Sequence, residues 1–402
     1  MHASYCYRMA STPLSWIRYA GHLTLVLWVT LLGYSHLLRA QEVIDMAGRQ
    51  VHIPDVIARP FGAAPPITAL LYALAPDLVI ALNMPFTPES DSFLQPGVAK
   101  LPIIGSAMGH GHQVSSESLL ALKPDLALAW SNSRSDLEPK AIEIPFAKAG
   151  IPVVYIKLES LADWPPAFEY VGRLLGREAR GKALADYIRQ AMASVETALT
   201  ELSGPDRLRV YYAESPNGLA TECNNSFHAE PIELAGGYNV YRCEQKTMVG
   251  REPVDLEQIL LWNPQLIIVQ DPLYLKNTET DERWRNIDAF KMGRIFQVPR
   301  KPINWLDRPP SFMRALGIQW LAHLFYPSRY THDIRAETRN FYHLFLGVDL
   351  SDAALNELLP HLTSKEHNNG FRLSNANSST PELFENGTRH PINALQAPLG
   401  AP

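Results

Sequence analysis

The chain has 402 residues, enough for two or three domains and a large buried core. With 19% of residues charged and a net charge of −5, it lacks the strongly basic balance that nucleic acid or an anionic membrane would select. The first element in chain order is a leader. Arg8 and Arg18 precede the apolar run "LTLVLWVTLLG" (residues 23–33), and Ala40 supplies a small residue beyond it. Basic flank, short apolar stretch and small residue predict an export signal over residues 1–40. The apolar run is shorter than the roughly 20 residues of a membrane span. No cysteine follows it until Cys223, so a lipid anchor on a new N-terminal cysteine is not available. Cys6 would leave with the signal, and Cys223 and Cys243 remain. In an oxidising compartment two such cysteines pair, whereas zinc or redox chemistry would favour Cys-x-x-Cys spacing or further ligands. A Cys223–Cys243 disulfide is expected.

After the leader, "EVIDMAGRQVHIPD" turns at Ala47-Gly48 between two short alternating runs, the pattern of a hairpin. Two similar units follow. "LLYALAPDLVIAL" and "SLLALKPDLALAW" each carry a helical end, a Pro-Asp corner (Pro76-Asp77 and Pro124-Asp125) and an apolar run predicted as a buried strand. "IPVVYIKL" adds another strand. Helix, corner, apolar strand is the grammar of an α/β layer with a parallel sheet. Residues 176–202 place Leu184, Ile188, Met192, Val195, Leu199 and Leu202 on one helical face, predicting a single long helix. Beyond it the α/β grammar resumes with "RLRVYYAE", "DLEQILLWNPQLIIVQD", "GRIFQVP" and "FMRALGIQWLAHLFYP". The expected architecture is two α/β lobes with central, mainly parallel sheets, bridged by one long helix, with a ligand cleft between them. The expected boundaries are residues 41–159 for the first lobe, 160–203 for the connecting segment and 204–362 for the second. A polar tail, read as disordered, occupies residues 363–402.

Four phrases, in this order, carry a family resemblance: "DMAGRQVHIP", "ESLLALKPDLALAW", "IELAGGYNV" and "LDRPPSFMRALGIQWLAHLFYP". Over residues 42–359 the chain resembles the periplasmic solute-binding proteins of ABC importers, in the class that takes iron–siderophore complexes, haem, cobalamin and metal chelates. The resemblance implies a periplasmic, monomeric binding protein with no enzymatic activity and no prosthetic group. It would deliver a metal complex to an inner-membrane permease and its ATPase. Two acidic residues, one per lobe, would dock on basic pockets of the permease. The positions matching the vitamin B12-binding relatives are Glu117, before "ALKPD", and Glu233, before the Gly-Gly turn.

Ligand contacts in such a fold come from the loops after the strand ends. The resemblance places Trp130 and the Trp305–Arg308 loop at the ligand. Arg308 has a fork suited to carboxylates or oxyanions, and Tyr274 is a candidate stacking residue. His110, His112, His228 and Glu230 come from loops of opposite lobes and offer imidazole and carboxylate ligands for a metal; histidines in polar loops are otherwise simply solvated. Two rival readings stand beside the chelate. In one, the same fold binds an oxyanion such as molybdate, because some members share the "NGL-T" loop and the late Trp-x-Asp-x-Pro-Pro phrase. In the other the chain is an exported enzyme, against which stand the missing Gly-x-Ser-x-Gly, dinucleotide-loop and His-Glu-x-x-His motifs.

Overall fold

The structure, a computed structural model of the chain, describes residues 40–108, 112–131, 139–245, 249–278 and 281–362. The expected signal and polar tail lie outside the described residues. Among the latter, no helix is long and apolar enough to cross a membrane. The expected hairpin forms from Ala40–Ile44 and Gln50–Pro54, antiparallel, with Val43 opposite Val51. Asp45 closes it. Its buried carboxylate accepts the Ala47, Arg49 and Tyr155 backbone N–H groups and the Arg49 side chain, which ties the hairpin to the neighbouring sheet.

That sheet is parallel, in the order Pro60–Gly62, Leu126–Ser131, Val153–Lys157. A second parallel sheet has the order Ile295–Gln297, Leu266–Val269, Arg209–Ala213, Tyr238–Asn239. Their central strands are buried almost throughout, as expected of parallel strands covered on both faces. One expected strand does not form. After Pro76–Leu78, a 3-10 turn, the run to Leu82 contributes a single bridge to Ile103. Its side chains reach the core at Val79, Ala81 and Leu82. Prolines at 85, 88, 96 and 102 remove the backbone donors that a longer ladder would need.

The connecting helix spans Glu178–Ala198, shorter than the 176–202 expected. Gly176 adopts φ +63° and ends the preceding helix, Trp164–Leu174, so the long helix starts two residues later. At 21 residues it is about 31 Å long. Gly181, Leu184, Ala185, Ile188, Ala191 and Val195 form its buried stripe. Near its start Arg180 donates to Ala73 O of the first lobe (2.7 Å). Beyond its end, Leu199 and Leu202 close on Gly236 of the second lobe. The C-terminal helix Arg314–Phe325 then packs against it, Ile334–Phe341 meets it at Tyr187, whose hydroxyl donates to Glu337 (3.1 Å), and Leu346 O accepts from Gln95 and Tyr72 of the first lobe. The lobes are therefore held by more than the bridge.

Candidate ligand cleft

Strands of both sheets end at a common cavity of about 480 Å³. Its first-lobe wall is built on Pro65–Leu74, the helix after the first parallel strand, and on the 82–90 loop; its second-lobe wall is built on Pro272 and the 300–309 loop. Most of the lining is apolar, including Ala69, Leu82, Met84, Phe86, Ile303 and five prolines. The helix end that faces the cavity carries Pro65 and Pro66 at its first two positions, and the next two N–H groups, of Ile67 and Thr68, both bond to Ala64 O. A helix N-terminus ordinarily offers such donors to an anion; this one offers none. The lining polar side chains are also engaged: Thr68 donates to Asn83, Asn83 to Gly62 O and Gly105 O, and Asn304 to Gln270. The charged groups on the lining are Glu89, Arg300, Lys301 and Arg308.

Arg308 joins the cavity to a buried polar cluster. Its guanidinium donates to both Glu214 oxygens (2.7 and 3.0 Å), to Glu222 Oε1 (2.6 Å) and to Val249 O (3.0 Å). Glu222 also accepts the Ser226 hydroxyl (2.8 Å) and the Arg251 N–H (2.8 Å). Burial first, and then the adjacent Glu214 carboxylate, pushes Glu222 up to about 9. Asp307 meets His228 Nδ1 at 2.5 Å and Arg314 at 3.2 Å. Burial alone would raise Asp307, but His228, Arg308 and Arg314 together hold it near 2.

The sequence-predicted residues divide into three groups. Arg308 lies on the cavity, and His228 sits behind it, linked through Asp307. Trp130 ends its strand against the second lobe: the indole N–H donates to Leu158 O (2.9 Å), and the ring meets Phe227 edge-on at 6.2 Å. Trp305 and Tyr274 are not at the cleft. Both are 0% exposed. Trp305 packs on Trp320 and donates to the Tyr342 hydroxyl, while Tyr274 packs on Trp284 beside Gly218. Each lies in a stretch that reads as loop, but hydrophobic burial turns these rings inward.

Among the described residues, the expected metal ligands are not brought together. His110 lies outside the described residues, His112 is exposed, and His228 is buried on Asp307. Glu230 is committed to Arg314 (3.2 Å) and to the Leu161 N–H. Among the described residues, no group of three or more His, Cys, Asp and Glu stands where it would hold a metal ion. The disulfide is present: Cys223 and Cys243 are bonded, with Cα atoms 5.0 Å apart.

The two expected docking acids differ. Glu117 is exposed at the second position of Ser116–Leu122, capped by Ser115, whose hydroxyl accepts the Ser118 N–H. Its own backbone N–H and then the Ser115 hydroxyl lower its pKa. Glu233 is clamped instead. Arg207 holds one oxygen at 2.7 Å, and Arg242 (2.9 Å) and the Asn239 N–H (3.2 Å) hold the other. The counterpart of Glu117 in the second lobe is Glu257, which the sequence reading missed. It occupies the second position of Leu256–Trp262, a helix of seven residues like Ser116–Leu122. Asp255 caps that helix as Ser115 caps the other, and both end in a left-handed residue (Lys123, Asn263) before a proline and a parallel strand. The repeated order of helix, proline and apolar strand in "SLLALKPDLALAW" and "DLEQILLWNPQLIIV" was the signal that would have found it.

The fold has counterparts among known proteins. The profile of the family described as periplasmic binding protein matches residues 105–302. An ABC transporter solute-binding protein from Sulfurospirillum deleyianum superposes with a TM-score of 0.74 at 35% identity, covering 79% of this chain and 99% of that one. The molybdate-binding protein MolA of Haemophilus influenzae is 29% identical over 260 residues, 59% of this chain and 71% of the relative. A vitamin B12-binding protein of Vibrio vulnificus is 25% identical over 256 residues, 63% of this chain and 85% of the relative.

Proposed function

We propose, for a chain that belongs to the periplasmic solute-binding proteins of ABC importers, that its ligand is an anionic metal chelate with an organic, partly apolar periphery. The chelate is cargo for an inner-membrane permease. The observation that carries this reading is the composition of the cleft: an apolar wall, a helix end stripped of backbone donors by Pro65 and Pro66, and three cationic side chains, Arg300, Lys301 and Arg308, against one acid, Glu89. A bare tetrahedral oxyanion entering it would exchange its hydration for apolar contacts and few free donors, a costly transfer. A chelate that shields its metal behind ring faces loses less hydration and gains apolar burial.

Molybdate is the second reading, favoured by the 29% identity to MolA. Tryptophan-fluorescence titrations distinguish the two. Chromium(III) tris-catecholate, a substitution-inert anionic chelate, is expected to bind at least about tenfold more tightly than molybdate, a difference of about 1.4 kcal/mol. The reverse order would establish the oxyanion reading.

For delivery, the reading that the geometry supports assigns docking to Glu117 and Glu257, the exposed acids at matching positions of the two lobes. Glu257 makes a surface contact to Arg283 (3.1 Å), with both side chains more than half exposed. Such a pair is worth little and exchanges readily for a partner's cation. Glu233 serves the second lobe internally, as the anchor of Arg207 and Arg242.

A further inference from the structure

Glu222 is a buried acid that neither ligand contact nor docking uses. It stands at the root of the disulfide loop, directly after the Ala220–Thr221 strand, and Glu214 directly follows the Arg209–Ala213 strand. The 249–251 turn closes over it: a Cβ at Gly250 would lie 2.1 Å from Glu222 Oε1. Its own loop contributes the Ser226 hydroxyl, the Arg209–Ala213 strand of the second sheet and its end contribute the Tyr212 phenol and Glu214, the turn the Arg251 N–H, and the cavity loop Arg308. Asp307 lies beyond Arg308 and is itself matched by His228 and Arg314, and Glu230 by Arg314.

We infer that Glu222 sets how strongly Arg308 takes an anionic ligand: as a carboxylic acid it leaves the guanidinium to the cleft, and as a carboxylate it holds the guanidinium against the ligand. The inference rests on the proposed reading of the cleft as an anion site and goes beyond it by naming the residue that controls it. The charge count explains the effect. With Glu222 neutral, Arg308 and Glu214 form a balanced pair, and an incoming anion meets no net repulsion from them. With Glu222 ionised, the three groups carry one excess negative charge in a poorly solvated site, where Coulomb repulsion is strong. The raised pKa of Glu222 keeps the acid form in place at neutral pH. Ligand and proton therefore favour each other, a coupling that linkage makes reciprocal.

The test is a pair of titrations with chromium(III) tris-catecholate, at about pH 7 and about pH 10. Wild type is expected to lose about fivefold in affinity across that interval, as a rise of about one unit above the free value of about 9 in the pKa of one group on binding gives by about pH 10. Glu222→Gln, neutral at both values, is expected to bind tightly and equally at both. Equal pH dependence in wild type and Glu222→Gln overturns the inference. Calorimetry of wild type at about pH 9 in two buffers of different ionisation heat needs no variant, and is expected to show fractional proton uptake per bound anion; zero uptake overturns the inference as well. If the chelate binds at neither pH, the cleft reading fails, and urea unfolding then decides the role of Glu222 separately. A carboxyl raised from about 4.5 to about 9 on folding contributes stability that is present below the lower value and lost as pH rises through the upper one. That loss is expected in wild type and absent in Glu222→Gln, and parallel curves overturn it.

Discussion

Trp305 shows how one side chain changes role with its direction. Read as a cleft aromatic, it should be removable at the expense of binding alone. Buried against Trp320 and bonded to Tyr342, it belongs to the core. Trp305→Ala is expected to lower unfolding stability by about 3–5 kcal/mol, measured by urea denaturation; an unchanged midpoint would return the ring to the cleft. Arg308 was legible because a fixed charge in a proline-rich loop before a helix has few places to go. Trp305 and Tyr274 sit in equally loop-like sequence, yet which way a ring turns depends on the tertiary neighbours that cover it. Glu222 was illegible for the opposite reason. Within "TECNN" it reads as one more solvated acid, and only the fold brings Glu214, Arg308 and the Gly250 turn around it.

Among the elements, the units most readable in the sequence were those whose backbone pairing follows from their apolar run. "LALAW" and "LIIV" became buried central strands. "DLVIAL" carries the same pattern and failed as a strand, because the prolines after it stop the ladder, a feature that periodicity does not score. The disulfide loop closes 20 residues of chain. From loop-closure entropy, its reduction is expected to cost about 3 kcal/mol, observable as a lower urea midpoint under reducing conditions; an unchanged midpoint would mean that the segment is held without it. The matched helices Ser116–Leu122 and Leu256–Trp262 yield a sharper expectation. Lys at both Glu117 and Glu257 should abolish transport-coupled uptake while leaving chelate affinity unchanged, because rim charges steer and orient docking without touching ligand. Glu233→Gln should instead lower stability, by unpairing Arg207 and Arg242. Uptake that survives the double Lys variant would remove the docking assignment.

At the scale of the molecule, the Glu178–Ala198 helix and the C-terminal helices both run between lobes, so the hinge is stiff. Ligand closure is expected to change the radius of gyration little, in contrast to proteins whose lobes swing on loose strands. Solution scattering with and without chromium(III) tris-catecholate reads this directly; a large contraction would show that the lobes are not braced in this way. The lobe–helix–lobe order was readable from sequence, because a continuous helical stripe between two runs of α/β grammar has few other solutions. The return of the C-terminal helices to the first lobe was not, since nothing in an amphipathic helix names the surface it will cover. On the proposed reading the cleft captures an organic metal chelate. Native mass spectrometry of the protein recovered from the periplasm, and again after exposure to a mixture of molybdate, cobalamin and chromium(III) tris-catecholate, tests it most directly. One bound mass equal to a metal with its organic ligand is the predicted result, and a bound mass equal to molybdate alone would contradict it.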